Sequence, residues 1–200
     1  MKGFLFIILI SALVSCSPST QIIKSWREPG TTISRGSTNK TLAIALFKDD
    51  NSRRVIEDNI VKWLNNKARA SYNFITPEIF LAARGGDIDK ILHEGAFTHV
   101  IFMRMADSEK DAPADPATST GFYGDYGKYY EYGASHFSSP ENNTANPNIY
   151  VETALYAVST NKLLWAGTTM TPRPSKIYKA VDDIAEVVIK KMKNEGFLTK

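Results

Sequence analysis

Apolar and polar positions fall into blocks along this 200-residue chain, and each block implies an element. Leu42-Ala-Ile-Ala-Leu-Phe47 is a short apolar run between Asn39-Lys40 and Lys48-Asp49-Asp50-Asn51. That length and those flanks predict a strand buried on both faces. Val55, Ile56, Ile60, Trp63, Leu64 and Ala68 then recur at helical spacing through 52–70, with Asp50, Asn51 and Ser52 as candidate caps. Residues 72–75 read as a second short strand. Thr76-Pro77-Glu78 places a capping hydroxyl, a first-turn proline and an acid where a short helix starts, and Gly85-Gly86 marks its stop. Asp87 opens a further helix carrying Ile88, Ile91 and Leu92, with Gly95 as its stop. Residues 99–105 are a third strand. Residues 149–159 and 163–169 form a hairpin about Thr160-Asn161, and the 171–175 stretch ends the strands. Ile177, Val181, Ile184, Ala185, Val188, Ile189 and Met192 set an amphipathic helix over 176–194, with Gly196 after it.

The order is β-α-β-(αα)-β, an insertion at about 106–148, then β-β-α. Two helical crossovers favour parallel pairing of the first three strands, and the closing hairpin adds antiparallel ones. The expectation is a single α/β (α+β) domain over 41–200, of three-layer type, with a mixed sheet of about five strands. Residues 16–40, rich in Ser, Thr, Gly and Lys, read as a tether. Trp26 within it is expected to dock on the domain.

The first block has another meaning. Lys2 precedes an apolar run from Phe4 to Ile10, which weakens through Ser11 and Ala12 and ends in Leu13-Val14-Ser15-Cys16. A charged start, a short apolar stretch and small residues at the cut are the order of a secretory signal peptide over 1–15, too short to span a bilayer comfortably. The ending resembles the lipobox of bacterial lipoproteins, which implies diacylation of Cys16. Cys16 is the sole cysteine, so it has no intrachain disulfide partner. Each buried CH₂ of an acyl chain contributes about 0.8 kcal/mol, so several chains on one residue hold a protein to a membrane. Ser17 follows where the lipoprotein pattern has Asp for inner-membrane retention, which implies a periplasm-facing anchor in the cell outer membrane or, in a source with one membrane, an extracytoplasmic cell-surface anchor.

With these elements in place, the chain resembles a family of small bacterial envelope lipoproteins. The likeness rests on the lipobox, Ser25-Trp-x-x-Pro-Gly30, the 42–47 strand followed by an Arg53-Arg54 helix, and the hairpin from Tyr156 to Gly167. The topology is more distantly similar to the αβ domains of LpoB-type penicillin-binding-protein activators, CsgG-type secretion lipoproteins and the amino-terminal domain of TolB. Such relatives imply a binding or assembly module, or alternatively an oligomeric secretion component whose insertion supplies membrane hairpins.

Charge argues against a nucleic-acid partner: 24 Lys and Arg against 21 Asp and Glu leave +3, without a clustered basic face. Arg53-Arg54 and Lys190-Lys191 read as solvated helix faces. His93, His99 and His136 lack zinc-protease spacing, and no nucleophile elbow or phosphate loop occurs. Asp49-Asp50, after the first strand, suit either a ligand site or helix capping, and capping is the simpler role. Asp182-Asp183 read as solvated. The expectation is therefore no enzyme activity, no cofactor and no metal, with a hydrolase lacking any recognisable motif as a further alternative. The remaining feature is the insertion, where Tyr123, Tyr126, Tyr129, Tyr130 and Tyr132 sit among glycines. Tyrosine gives rigid contact area and glycine an adaptable backbone, which suits a loop binding an envelope protein or cell-wall polymer. A loop whose rings pack loosely on the sheet is the other reading.

Overall fold

The computed structural model describes residues 20–34, 40–65, 67–106, 121–136, 148–172 and 177–199, with side chains in the last segment from 180 onward. In chain order these give β1 (Gln21–Arg27), β2 (Ile33–Ser34), β3 (Thr41–Leu46), α1 (Asp50–Trp63), β4 (Arg69–Ala70), a 3₁₀ turn (Ser71–Asn73), α2 (Pro77–Ala82), α3 (Gly85–Glu94) and β5 (His99–Ala106). A second 3₁₀ turn (Phe122–Gly124), α4 (Tyr126–Ser135), β6 (Asn148–Ala157), β7 (Lys162–Pro172), α5 (Ile177–Asn194) and β8 (Leu198–Thr199) follow.

Six strands form one mixed sheet in the order β1-β7-β6-β5-β3-β4, and β2 pairs with β8 separately. β3 lies parallel to β4 and β5, while β5, β6, β7 and β1 are successively antiparallel. Side chains alternate across this sheet as the pleat requires. Leu42, Ile44, Leu46, Val100 and Phe102 point to one face, and Ala43, Ala45, Ile101, Met103 and Met105 to the other. α1 and α5 cover the second face through Ile56, Ile60, Val181, Ile184, Val188 and Met192. α2, α3 and α4 cover the first through Phe80, Ile88, Leu92, Tyr126, Tyr129 and Tyr130. The central strands are thus buried on both sides, which explains their continuous apolar runs.

Three boundaries fall where local chemistry overrides the pattern. The stretch read as a tether supplies the sheet's edge: β1 pairs with β7 from Gln21↔Met170 to Arg27↔Trp165. A register shift between Ile22 and Lys24 puts both adjacent isoleucines at a bulge, so β1 shows no clean alternation. With this strand added and the two-residue β4 standing in place of the strand expected at 72–75, the sheet has six strands rather than about five, and Trp26 is half-buried against the core as expected. Residues 72–75 are not a strand. The backbone turns at Ser71, whose carbonyl accepts from the Phe74 and Ile75 N–H groups, both at 2.8 Å. Gly85-Gly86 do not stop a helix but begin α3, because Ala83, at φ 52°, already provides the left-handed cap of α2.

Candidate functional site

Within the insertion, the described residues 121–136 form the second 3₁₀ turn and α4. The stretch expected as a loop is helical over Tyr126–Ser135. Asp125 caps it by accepting from the Lys128 N–H at 2.9 Å. Asn161, at φ 51° in the β6–β7 turn, clamps the same end. Its side chain accepts from the Tyr126 N–H at 2.9 Å and donates to the Asp125 carboxylate at 2.5 Å.

Two glycines let this helix lie flat. A methyl group on Gly85 would sit 2.9 Å from the Gly127 backbone, and one on Gly133 would collide with Leu46 Cδ1. The Gly85 N–H also donates to Glu131 at 2.8 Å, joining α3 to α4. The glycines serve close packing rather than adaptability.

Tyr123, Tyr126, Tyr129 and Tyr130 are accordingly buried, and only Tyr132 is partly exposed. This corrects the reading of these five rings as a partner-binding loop, since the alternation of Tyr and Gly serves a helix with one tightly packed face. Three of their hydroxyls are spent internally. Tyr130 donates to the Phe80 carbonyl at 3.1 Å, Tyr129 to Glu152 at 3.1 Å, and Tyr126 to Asp89.

Beneath α4 lies an ion pair. Arg104 on β5 and Glu152 on β6 are Cα partners, with Nη2 2.6 Å from Oε2, and both are buried. Burial raises the Glu152 pKa above its ordinary value, opposed by the Arg104 charge. For Arg104, burial disfavours the charge, but the facing Tyr129 and Glu152 outweigh it and its pKa moves up. Tyr129, fully enclosed beside Glu152, is pushed well up. The guanidinium carbon lies 5.1 Å from the Tyr132 ring centre, 5.5 Å from Phe122 and 5.8 Å from Tyr129. Phe122 and Tyr132 stack at 3.7 Å, and His136 continues the stack on Tyr132 at 4.4 Å.

A second buried pair lies within α1. Arg53 Nε lies 3.1 Å from Glu57 on α1. Glu57 also accepts from the Ala45 N–H at 3.1 Å, the Ser71 hydroxyl at 2.6 Å and the Tyr72 N–H at 2.9 Å. Arg53 reaches the Ser71 hydroxyl at 2.9 Å and lies 4.0 Å over the Phe80 ring. Arg53 is therefore core, not part of a solvated face, while Arg54 is exposed and pairs with Asp50 at 2.7 Å.

The other candidates are placed apart. Asp49 caps α1, accepting from the Ser52 N–H at 2.8 Å, and this bond holds its carboxyl below the ordinary value. His93 Nδ1 lies 2.8 Å from the Asp89 carbonyl. His99 borders an apolar cavity of about 20 Å³ with Thr41, Leu155, Met192 and Phe197, and burial lowers its pKa. Asp182 and Asp183 are exposed. Cys16 lies outside the described residues. Sequence reasoning passed over Arg104 and Glu152. The available signal was a charge interrupting each of two otherwise apolar strands, VIFMRMA and VETALYA.

No metal-holding group of three or more His, Cys, Asp or Glu occurs among the described residues. None of their helices is long and apolar enough to cross a membrane.

No protein-family model matches the chain, and no curated protein matches it either. Solved structures of the PelC dodecamer from Paraburkholderia phytofirmans share some of its path. One covers 84% of this chain and 94% of that chain at 11% identity, with a TM-score of 0.43. A variant of it covers 82% and 94% at 11% identity, with a TM-score of 0.41. Likeness at this level assigns no function.

Proposed function

We propose that this protein is a lipid-anchored envelope protein whose domain works as a non-enzymatic binding or assembly module at a membrane surface. The observation that carries the anchor is the lipobox-like ending Leu13-Val14-Ser15-Cys16, and the fold takes hold soon after it. Thr20 is buried, and its hydroxyl lies 2.9 Å from that of Thr171. An acyl group on Cys16 would thus hold the folded body itself close to the bilayer. The non-enzymatic half is supported by where the reactive side chains go. Arg53, Glu57, Arg104 and Glu152 bond one another and the backbone inside the core, where they fasten helices to the sheet.

Growth with an alkyne palmitate analogue, followed by mass spectrometry of the amino-terminal peptide, tests the anchor. Incorporation that Cys16→Ser abolishes is the expected result, and an unacylated Cys16 overturns it. The resemblance to outer-membrane lipoproteins adds that Ser17→Asp should move the protein to the inner membrane on density fractionation. Crosslinked pull-down from envelopes tests the module. The reading expects a discrete envelope protein or cell-wall polymer that Cys16→Ser loses, and it fails if nothing is captured above an unrelated lipoprotein.

A further inference from the structure

The distance from Cys16 to the body of the domain decides which way the domain points. Thr20 is docked, so four peptide steps separate it from Cys16. A chain covers at most about 3.6 Å per residue, so those steps reach no more than roughly 14 Å. The sheet is longer than that reach. β7 has 11 residues. At about 3.3 Å per residue it runs for roughly 33 Å.

Thr20 is fixed beside Thr171, at the carboxyl end of β7. Register carries that end across the sheet. Pro172 lies opposite Asn148, Tyr150 opposite Ala106, and Arg104 beside Leu46. The carboxyl ends of β3, β5 and β7 therefore share one pole with the chain's entry point. The opposite pole carries the 158–161 turn, the β2–β8 pair and the end of α5. Stood on that far pole, the domain would hold Thr20 roughly 33 Å above the lipid, more than twice the available reach.

We infer that the pole formed by the carboxyl ends of β3, β5 and β7 faces the lipid headgroups, and that the pole with the β6–β7 turn points away from them. This rests on the reading of Cys16 as acylated. Lys48, just beyond β3, and Lys162, at the start of β7, are exposed markers of the two poles.

The test uses the full lipidated chain in vesicles of phosphatidylethanolamine and phosphatidylglycerol doped with a headgroup-region quencher lipid. Lys48→Cys and Lys162→Cys are made separately and labelled with a thiol-reactive fluorophore, the acylated Cys16 being blocked. Quenching at position 48 should exceed that at 162 several-fold. Equal or reversed quenching in protein whose acylation is verified by mass overturns the orientation and leaves the anchor standing. An unacylated Cys16 overturns both. A flexible Gly/Ser spacer of about twenty residues between Ser19 and Thr20 should bring the two signals together, because its reach then exceeds the sheet. A ratio unchanged by the spacer shows that reach does not orient the domain, and overturns the inference.

Discussion

Arg53 and Glu57 lie one helical turn apart on α1, whereas Arg104 and Glu152 come from strands 48 residues apart. Both pairs are buried, and both carboxyls have pKa values raised by burial. They differ in what else the carboxylate holds. Glu57 takes two backbone N–H groups, from Ala45 and Tyr72, and so splices α1 onto β3 and the 3₁₀ turn. Glu152 takes side-chain donors, Arg104 and Tyr129, and so fastens α4 over the sheet. A backbone donor cannot be substituted away, but a side-chain donor can. The local pair should therefore be irreplaceable, and the long-range pair should be exchangeable for apolar side chains.

The largest effect follows from that difference. Arg53→Met with Glu57→Leu removes both charges but strands the buried Ala45 N–H, at about 1–3 kcal/mol without a partner, together with the half-buried Tyr72 N–H. The double variant should stay destabilised by those stranded groups, whereas Glu57→Leu alone adds to the same loss an uncompensated buried arginine at about 3–5 kcal/mol. Urea midpoints measure this, and a double variant close to wild type would remove the distinction.

Next in size is the other pair. In a Tyr129→Phe background, which leaves no stranded hydroxyl, Glu152→Leu should cost about 3–5 kcal/mol by leaving Arg104 uncompensated, and adding Arg104→Met should restore most of it. A double-mutant cycle in urea gives the coupling. If the second change restores nothing, the two pairs are equivalent and the comparison fails.

These pairs also mark the limit of what was legible in the chain. The mixed sheet, its helical layers and the capping role of Asp49 follow from runs and spacings that a single segment carries. Arg53 read as surface because its neighbour Arg54 is surface, and helical periodicity alone does not say that a buried acid waits one turn away. Arg104 and Glu152 form a pair only once β5 and β6 are in register, which no local pattern encodes. The tyrosines of α4 misled for the same reason. Tyr-Gly spacing suits a binding loop in isolation, and it suits a packed helix only when Leu46 and Gly85 lie opposite.

That packing gives a smaller prediction. Gly133→Ala drives a methyl into Leu46 and toward Arg104, and overpacking of this kind costs about 1–3 kcal/mol. Because the clash falls on Leu46, the strand partner of Arg104, it should couple more strongly to Glu152→Leu than to Glu57→Leu. Thermal or urea unfolding of the two combined variants checks this, and identical additivity would separate Gly133 from the ion pair.

The smallest effect comes from a third carboxylate that does the same work at the surface. Glu195 accepts from the Ser25 hydroxyl at 2.8 Å and the Trp165 indole N–H at 2.9 Å, and pairs with Lys191 at 3.2 Å, so it ties β1 and β7 to the end of α5. Burial favours its neutral form, but the bonds from Trp165, Ser25 and Lys191 outweigh this and hold its pKa below the ordinary 4.5. Its sign is thus opposite to that of Glu57 and Glu152. A depressed carboxyl adds stability that is present above pH 4.5 and is lost as pH falls below that value through the folded pKa. The raised carboxyls act in the reverse sense, since their folded forms bind the proton first and their contribution declines as pH rises from 4.5 through the folded pKa. Unfolding free energies of wild type and Glu195→Gln across the acid range separate the two kinds. The variant should lose the stabilisation above pH 4.5 and converge on wild type at lower pH. A difference that persists unchanged in acid would mean that Glu195 holds β1 through geometry alone and not through its charge.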